Sequence, residues 1–174
     1  MILCDEEIKE AIAAGDLAFS PALAEHQIQT ASVDLRLSEA LRVPKPLSGL
    51  ILSPNQRISA EHLGDPVRIP SNGYILAPSD FVLGATLESV RLPLELAARL
   101  EGKSSIARVG LVVHITSAHI APGFNAPIVL EIVNLGKNSV ALVPGMFICQ
   151  LIIERLSRTP GSGYSGRFQG QTAP

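Results

Sequence analysis

Hydrophobic and polar residues alternate over short segments through most of the chain, which is the pattern of half-buried β-strands. In residues 33–37, Val33, Leu35 and Leu37 share one face, and an aspartate and an arginine share the other. Seven further short apolar segments, separated by Pro, Gly and Asn, lie at 67–69, 74–77, 81–87, 111–115, 128–133, 140–143 and 147–153. Short strands at this spacing, with turn residues between them, predict a β-sandwich or a barrel.

Two places in the chain predict short helices. Near the N-terminus, Asp5 can cap a helix and Gly15 can end it. Ile8 and Ile12 share one face of this helix, and the two glutamates after the cap favour its positive end. A second short helix is predicted after Pro93. We therefore expect a mainly β protein with a short N-terminal helix and one further short helix.

The length of 174 residues is most simply one domain with a core of its own. No linker, repeat or low-complexity tract interrupts residues 1–158, so we assign them to a single domain. Residues 159–174 are rich in Gly, Ser and Gln and poor in aliphatic side chains, which predicts a flexible C-terminal tail. This tail still carries Tyr164, Arg167 and Gln171.

Charge and hydropathy narrow the possible partners. The net charge is −2 and charged residues make up only 17%, so no basic surface for nucleic acid or an anionic membrane is expected. The mean hydropathy of +0.31 is high, yet no apolar run approaches the ~20 residues of a membrane span. The excess apolar surface indicates an oligomer. The acidic N-terminus is unlike a signal peptide, and two cysteines, Cys4 and Cys149, form no disulfide framework, so a cytoplasmic protein is expected.

The segment Gly-Lys-Ser-Ser-Ile-Ala-Arg at 102–108 places two hydroxyls between two cations. It matches the end of a P-loop, but that motif requires a glycine where this chain has Ala97. The preceding leucine-rich stretch is also unlike a glycine-rich turn. A P-loop is therefore excluded, and the residues alone leave open a solvated turn or a site for an anion.

Polar residues within apolar strands are the other candidates for chemistry. Glu131 shares a predicted strand face with Val129 and Val133. A carboxylate in that position is paired, exposed at an edge, or used in chemistry, and the residues alone do not decide which. For His114 and Gln150, a buried side chain with hydrogen-bond partners is the better interpretation.

Two common hydrolytic sites are disfavoured. A zinc-dependent nucleobase deaminase requires a C-x-x-C pair, and neither Cys4 nor Cys149 belongs to one. His114 and His119, five residues apart, do not match a known zinc-ligand spacing either. A serine hydrolase is disfavoured because the chain contains no G-x-S-x-G motif.

Several sequence blocks in a fixed order resemble one known family. In order along the chain they read MILCDEEIKEAI, QTASVDLRL, FVLGATLESVRLP, GKSSIAR, IAPGF, IVLEIVN, PGMFICQL and GRFQGQ. The order and content resemble the dCTP deaminases of the dUTPase-like superfamily, nearly from end to end. The resemblance implies a trimeric β-clip fold, a distorted β-barrel, with active sites shared between subunits.

The resemblance also implies a reaction, the zinc-free hydrolytic deamination of dCTP to dUTP and ammonia, which supplies dUTP for dUMP and dTTP synthesis. Glu131 matches the family's catalytic glutamate, which takes a proton from the water attacking cytosine C4 and delivers it to the departing amine. Ser104 and Arg108 match the residues at the reacting end.

Further nucleotide contacts are implied for Lys103, Ser105, Ile106, Ala107, Ala121, Val129, Leu130, Gln150, Tyr164, Arg167 and Gln171. Among them, Lys103 and Ser105 are expected to face phosphate, and the backbone at Val129 and Leu130 to face the base. Residues 159–174 would then form a lid over the nucleotide. Magnesium would be held by the triphosphate rather than by protein side chains, and dTTP is a candidate feedback inhibitor.

The chain departs from the family at residues 120–124. Relatives usually have an aspartate where this chain has Ala121, and in dUTPases that aspartate contributes to sugar recognition and to the water that attacks phosphate. His119 also stands where deaminases often have arginine. We therefore expect dUTP as the product, with a deaminase-diphosphatase releasing dUMP and pyrophosphate as the alternative. A non-catalytic nucleotide-binding regulator is a third hypothesis, against which Glu131, Ser104 and Arg108 argue.

Overall fold

The computed structural model describes residues 1–46, 49, 51–53, 55, 60–166, 170, 171 and 174. Helices are few and short: α1 spans Asp5–Ala13, α2 spans Ser104–Ala107, and 3-10 helices span Glu25–Gln27 and Ala60–Leu63. A mainly β protein with a short N-terminal helix and one further short helix is thereby confirmed. No helix in these described ranges is both long and apolar enough to cross a bilayer.

Thirteen strands are found in the described part of the chain. They are β1 (Ala18–Ser20), β2 (Ile28–Gln29), β3 (Ser32–Arg36), β4 (Ala40–Val43), β5 (Asp65–Arg68), β6 (Tyr74–Leu76), β7 (Phe81–Arg91), β8 (Leu96–Gly102), β9 (Leu111–Val112), β10 (His119–Ile120), β11 (Asn125–Asn134), β12 (Val140–Leu142) and β13 (Phe147–Arg155).

The strands form two larger antiparallel sheets and one small one. The first sheet has the order β5-β4-β7-β11-β9, with β1 paired to the far end of β7. The second has the order β10-β8-β13-β3-β2, and β12 pairs with β6 separately. Buried aliphatic side chains from both larger sheets form one continuous core. The core therefore lies between the sheets, which leaves the outer face of β11 available for a site.

Strand β11 shows the predicted alternation. Ile128, Leu130 and Ile132 are buried in the core, and the residues between them are only partly buried. Glu131 shares a face with Val129, as predicted, and this is the outer face. Because successive side chains of a strand point to opposite faces, the inward aliphatic residues fix Glu131 on the outward side.

The helix predicted after Pro93 is wrong. The segment is strand β8, which pairs along its whole length with β13 in the centre of the second sheet. Leu96, Ala98 and Leu100 are buried there, so pairing with a distant strand overrides the helical preference of a leucine- and alanine-rich stretch. The second helix is instead α2, inside the GKSSIAR segment.

The start of α1 and the length of one strand also differ from the predictions. Cys4, not Asp5, is the N-cap, and its backbone N–H donates to Glu7 Oε2 at 3.1 Å. Gly15 follows the helix with φ of +76°, a conformation that favours glycine and agrees with a helix end there. The strand predicted at 111–115 is confined to Leu111–Val112.

Candidate active site

A cavity of about 320 Å³ lies beside the outer face of β11, and we call it the Glu131 cavity. Five residues that the resemblance implied for nucleotide binding line it together: Ala121, Val129, Glu131, Tyr164 and Gln171. They come from strand β11, the loop before it and the C-terminal tail. The volume is at the lower end of the range for small-molecule pockets, so it suits part of a nucleotide rather than a whole triphosphate.

Glu131 is held at this cavity by a backbone group. Its Oε2 accepts a hydrogen bond from the backbone N–H of Ile115 at 3.2 Å. In the sheet, Glu131 pairs with Leu83 of β7, and its side chain is partly exposed. A carboxylate oriented in this way at a cavity wall can accept a proton from a nearby water molecule.

An irregularity in the sheet sets the register of this part of β11. Between the pairs Pro127–Ser89 and Val129–Ala85, three residues of β7 lie opposite the single Ile128. Buried Thr86 bridges this bulge, since its Oγ1 accepts from the N–H of Ile128 at 2.9 Å and donates to the carbonyl of Glu88 at 2.7 Å. The bulge thus fixes where Val129 and Glu131 stand in the sheet.

The C-terminal tail lies against the loop at 121–124. The backbone N–H of Tyr164 donates to Pro122 O at 2.7 Å, and its ring lies 6.0 Å from that of Phe124. A Cβ at Gly123 would come within 3.0 Å of the Gly163 Cα, so glycine permits this close approach. The tail therefore forms part of the wall around Glu131. Arg167, also expected at the nucleotide, lies outside the described residues.

The GKSSIAR segment lies elsewhere in the chain's own fold. Ser104 and Ser105 are exposed on α2, Ile106 is buried, and Arg108 directly follows the helix. Ala107 and Arg108 line a second cavity of about 670 Å³ together with the segment 136–141. None of residues 103–108, all of them described, lines the Glu131 cavity.

Two other expected nucleotide contacts, Lys103 and Gln150, have partners within the chain, and a third, Leu130, is buried. Lys103 Nζ lies 2.5 Å from Asp34 Oδ1. The Gln150 side-chain amide donates to Gly102 O at 3.1 Å and accepts from the Ser32 hydroxyl at 3.2 Å. The side chain of Leu130 is fully buried in the core, so only its backbone can face a ligand.

Several lining residues were not expected from the sequence. Ser117, His119, Leu63 and Phe124 also line the Glu131 cavity. The sequence had raised His119 as half of a disfavoured zinc pair and as a departure from relatives, whereas its place on β10 beside Ala121 brings it to the cavity wall. A strand of two residues has no readable alternation, so the sequence contained no pattern that could place it.

The buried thiol of Cys149 is not a candidate nucleophile. Burial raises the pKa of this thiol well above its usual range, and the nearby Glu88 and Asp34 carboxylates raise it further. Across the described ranges, no three His, Cys, Asp or Glu side chains come together in a group that could hold a metal ion.

Comparisons with known proteins identify the family of this chain. A family model described as dCTP deaminase-like matches residues 2–156. A protein of Methanosphaera stadtmanae named "dCTP deaminase, dUMP-forming" is 35% identical over 99% of this chain and 91% of the relative. A protein of Natronomonas pharaonis named "dCTP deaminase" is 40% identical over 100% of this chain and 92% of the relative.

Solved structures show the same fold. The 2'-deoxycytidine 5'-triphosphate deaminase of Agrobacterium tumefaciens matches with a TM-score of 0.70 and 24% identity, over 89% of this chain. This chain spans 48% of the length of that protein. A dUTPase from phage phi11 of S. aureus matches with a TM-score of 0.53 and 12% identity, over 86% of this chain and 97% of its own. The chain therefore belongs to the dCTP deaminase-like family and has the dUTPase-like fold of its solved relatives.

Proposed function

We propose that this chain deaminates dCTP hydrolytically and releases dUMP. One observation carries the proposal: Glu131, the residue matching the family's catalytic glutamate, lies at a cavity with four other expected nucleotide contacts. The name "dCTP deaminase, dUMP-forming" of the Methanosphaera relative supports both the substrate and the product.

The chemistry at Glu131 is a pair of proton transfers. Water attacks C4 of cytosine, and the Glu131 carboxylate accepts the proton that this water loses. The same carboxyl group then gives a proton to the exocyclic amine, whose bond to C4 breaks as ammonia leaves. The hydrogen bond from the Ile115 N–H holds Oε2, which keeps the carboxylate in one orientation through both steps.

The expected product, dUTP, is less well supported than dUMP, its alternative. The dUTP expectation rested on Ala121, which offers no acceptor for a second water that would attack phosphorus. In the structure, Ser117 and His119 line the same cavity as Ala121, so other polar side chains are available to orient that water. Ala121 still favours dUTP formation as the second candidate function.

A complete site in this proposal requires a second subunit. Ser104 and Arg108 are expected at the reacting end, yet in one chain they do not line the Glu131 cavity within the described structure. A homotrimer would bring the GKSSIAR segment of one subunit to the Glu131 cavity of its neighbour. The substrate's triphosphate would carry magnesium, dTTP is a candidate feedback inhibitor, and the cytoplasm is the expected location.

The test is a time course with dCTP and magnesium in which ammonia, dUTP, dUMP and pyrophosphate are measured together. Ammonia, dUMP and pyrophosphate in equal amounts, without accumulation of dUTP, is the expected result. Accumulation of dUTP at the same rate as ammonia would refute dUMP as the product. Absence of ammonia would refute the whole proposal.

Two variants separate the deamination of cytosine from the attack of water on phosphorus. His119→Asn should lower pyrophosphate release about tenfold or more, because it removes the proposed acceptor for the second water, and should leave ammonia release within about threefold, because Glu131 is retained. The matched variant Ala121→Asp, which restores the carboxylate seen in relatives, should not slow pyrophosphate release. If Ala121→Asp alone produces pyrophosphate, this chain is a dUTP-forming deaminase.

A further inference from the structure

One arginine contacts two segments that lie at the Glu131 cavity. The Arg42 side chain donates from Nη1 to the backbone oxygen of Gly64 and from Nε to the backbone oxygen of Pro174, both at 2.9 Å. Gly64 directly follows Leu63, which lines the cavity. Pro174 lies three residues beyond Gln171, which lines it too. A single guanidinium group thus joins a turn and the C-terminal tail beside the cavity.

Strand pairing places Arg42 on the same sheet face as Glu131. Arg42 of β4 pairs with Leu83 of β7, and Leu83 pairs in turn with Glu131 of β11. Residues directly opposite each other in paired strands have their side chains on the same face. Neighbouring strands are about 4.8 Å apart, so the backbones of Arg42 and Glu131 are separated by about 10 Å. Arg42 therefore lies near the site without being one of the residues that line it.

The turn at residues 63–64 has a fixed position on β4. Gly64 has a φ of +124°, and a Cβ at this residue would collide with the Val43 carbonyl, so the close approach requires glycine. The next residue, Asp65, pairs with Val43 in the sheet. The Gly64 oxygen is therefore a fixed acceptor, and it orients the guanidinium group of Arg42 toward the tail.

The tail contributes the other acceptor. Residues 159–174 are poor in aliphatic side chains, so hydrophobic packing alone holds most of the tail weakly. Pro174 is nevertheless buried, and it lies beside Arg42 and residues of β4 and β5. Between Tyr164, whose N–H donates to Pro122 O, and Pro174 lies the stretch that includes Gln171. The bond from Arg42 therefore fastens this stretch at its far side.

From these contacts we propose that Arg42 is a positioning residue for the nucleotide, because it fastens the tail at Pro174 to the turn at 63–64. We call this arrangement the closed tail. The inference rests on the proposed dCTP deaminase activity and adds to it the residue that keeps the cavity walls together. Arginine suits this role because its planar guanidinium presents several N–H donors in fixed directions, so that one side chain can serve two acceptors.

The experiment is a double-mutant cycle with Arg42→Met, a chain shortened after Gln171, and the combination of both. A hydrogen bond from a charged donor typically changes an equilibrium constant by about tenfold or more. Arg42→Met should therefore raise KM for dCTP about tenfold, since a smaller fraction of the protein has the closed tail. The kcat value should stay within about threefold, because saturating dCTP restores the closed tail and Glu131 is retained. The combination should raise KM no further than Arg42→Met alone.

Lys45→Met is the matched control. Lys45 follows the same strand, β4, and its ammonium group pairs with Asp65 where both side chains are exposed. Its removal takes a cation from the same hairpin without touching the tail, so KM and kcat should both stay within about twofold.

Three results would contradict the proposal. An unchanged KM in Arg42→Met would show that the tail closes without Arg42. Additive increases of KM in the combination would show that Arg42 does not act through Pro174. If Arg42→Met does not fold, Arg42→Lys keeps the charge but lacks the fork that reaches both oxygens, so KM should rise at least threefold, and a KM equal to that of the parent refutes the role.

An inactive parent chain would overturn the proposed function, and amide hydrogen exchange would then measure the role of Arg42 directly. Exchange within residues 164–171 should become at least threefold faster in Arg42→Met and should not change in Lys45→Met. Unchanged exchange in Arg42→Met would show that Arg42 does not hold the tail, whatever the activity of the parent.

Discussion

Replacing Glu88 by glutamine tests the buried network that joins the two larger sheets. The Glu88 side chain is 0% exposed and accepts from the Arg36 N–H at 2.9 Å, Arg36 Nε at 2.6 Å and Gln27 Nε2 at 2.9 Å. An amide keeps the volume but loses the charge and turns one acceptor into a donor that faces other donors.

The cost follows from what is left without a partner. Removing one member of a buried ion pair typically costs about 3–5 kcal/mol. The Arg36 side chain is 30% exposed, so water can solvate part of its charge. We therefore expect Glu88→Gln to lower the free energy of unfolding by about 3 kcal/mol, and the melting temperature by about 6–12 °C.

Urea and thermal unfolding followed by circular dichroism provide the measurement, at one protein concentration because assembly would shift the midpoint. Glu154→Gln is the matched control, since Glu154 pairs with Arg99 at 2.8 Å where both side chains are substantially exposed. Exposed pairs contribute about 0–1 kcal/mol. A loss for Glu88→Gln no larger than that of the control would refute the reasoning about the buried network.

Three further predictions concern the site and the thiols. Glu131→Gln should lower kcat by about 10²–10⁴ while calorimetry shows dCTP binding within about threefold, and turnover within tenfold of the parent would reject Glu131 as the base. Truncation after Gly163 should raise KM for dCTP with an unchanged melting temperature without ligand, whereas a large drop in that temperature would make the tail structural. A thiol reagent should modify exposed Cys4 in the folded protein but reach Cys149 only on unfolding. Because burial raises the pKa of Cys149 in the folded state alone, stability should fall above about pH 9 by about 1.4 kcal/mol per pH unit, and Cys149→Ala should remove that slope.

Part of the site could be predicted from strand geometry. Strand alternation predicted that Glu131 shares a face with Val129 and Val133, and the structure shows that this is the outward face of β11. The cavity at Glu131 then brings together five residues that the resemblance had named from separate blocks. The local residue pattern and the order of the sequence blocks were sufficient to predict these cavity residues, because each block lies on one strand or one turn.

Strand β8 was unpredictable for a physical reason. Its leucine and alanine residues suit a helix as well as a strand, and the choice is made by β13, which lies some fifty residues further along the chain. The short strands β1, β2 and β10 form only because a longer strand offers free backbone groups beside them. No period can be read from two or three residues, so strand alternation could not assign His119 to the cavity.

Three carboxylates in apolar strands show what decides between structure and chemistry. Glu88 lies on the inward face of β7, where Val82 and Val90 are buried, and it has Arg36 and Gln27 as partners. Asp34 is likewise buried and paired. Glu131 lies on an outward face, is only partly buried and meets a cavity. An inward carboxylate must be neutralised by a fixed partner, which removes it from chemistry, whereas an outward one beside a cavity retains access to water and substrate. Strand alternation predicts which side chains share a face with each carboxylate. The residue that pairs with the carboxylate lies on another strand, so it can be identified only once the fold is known.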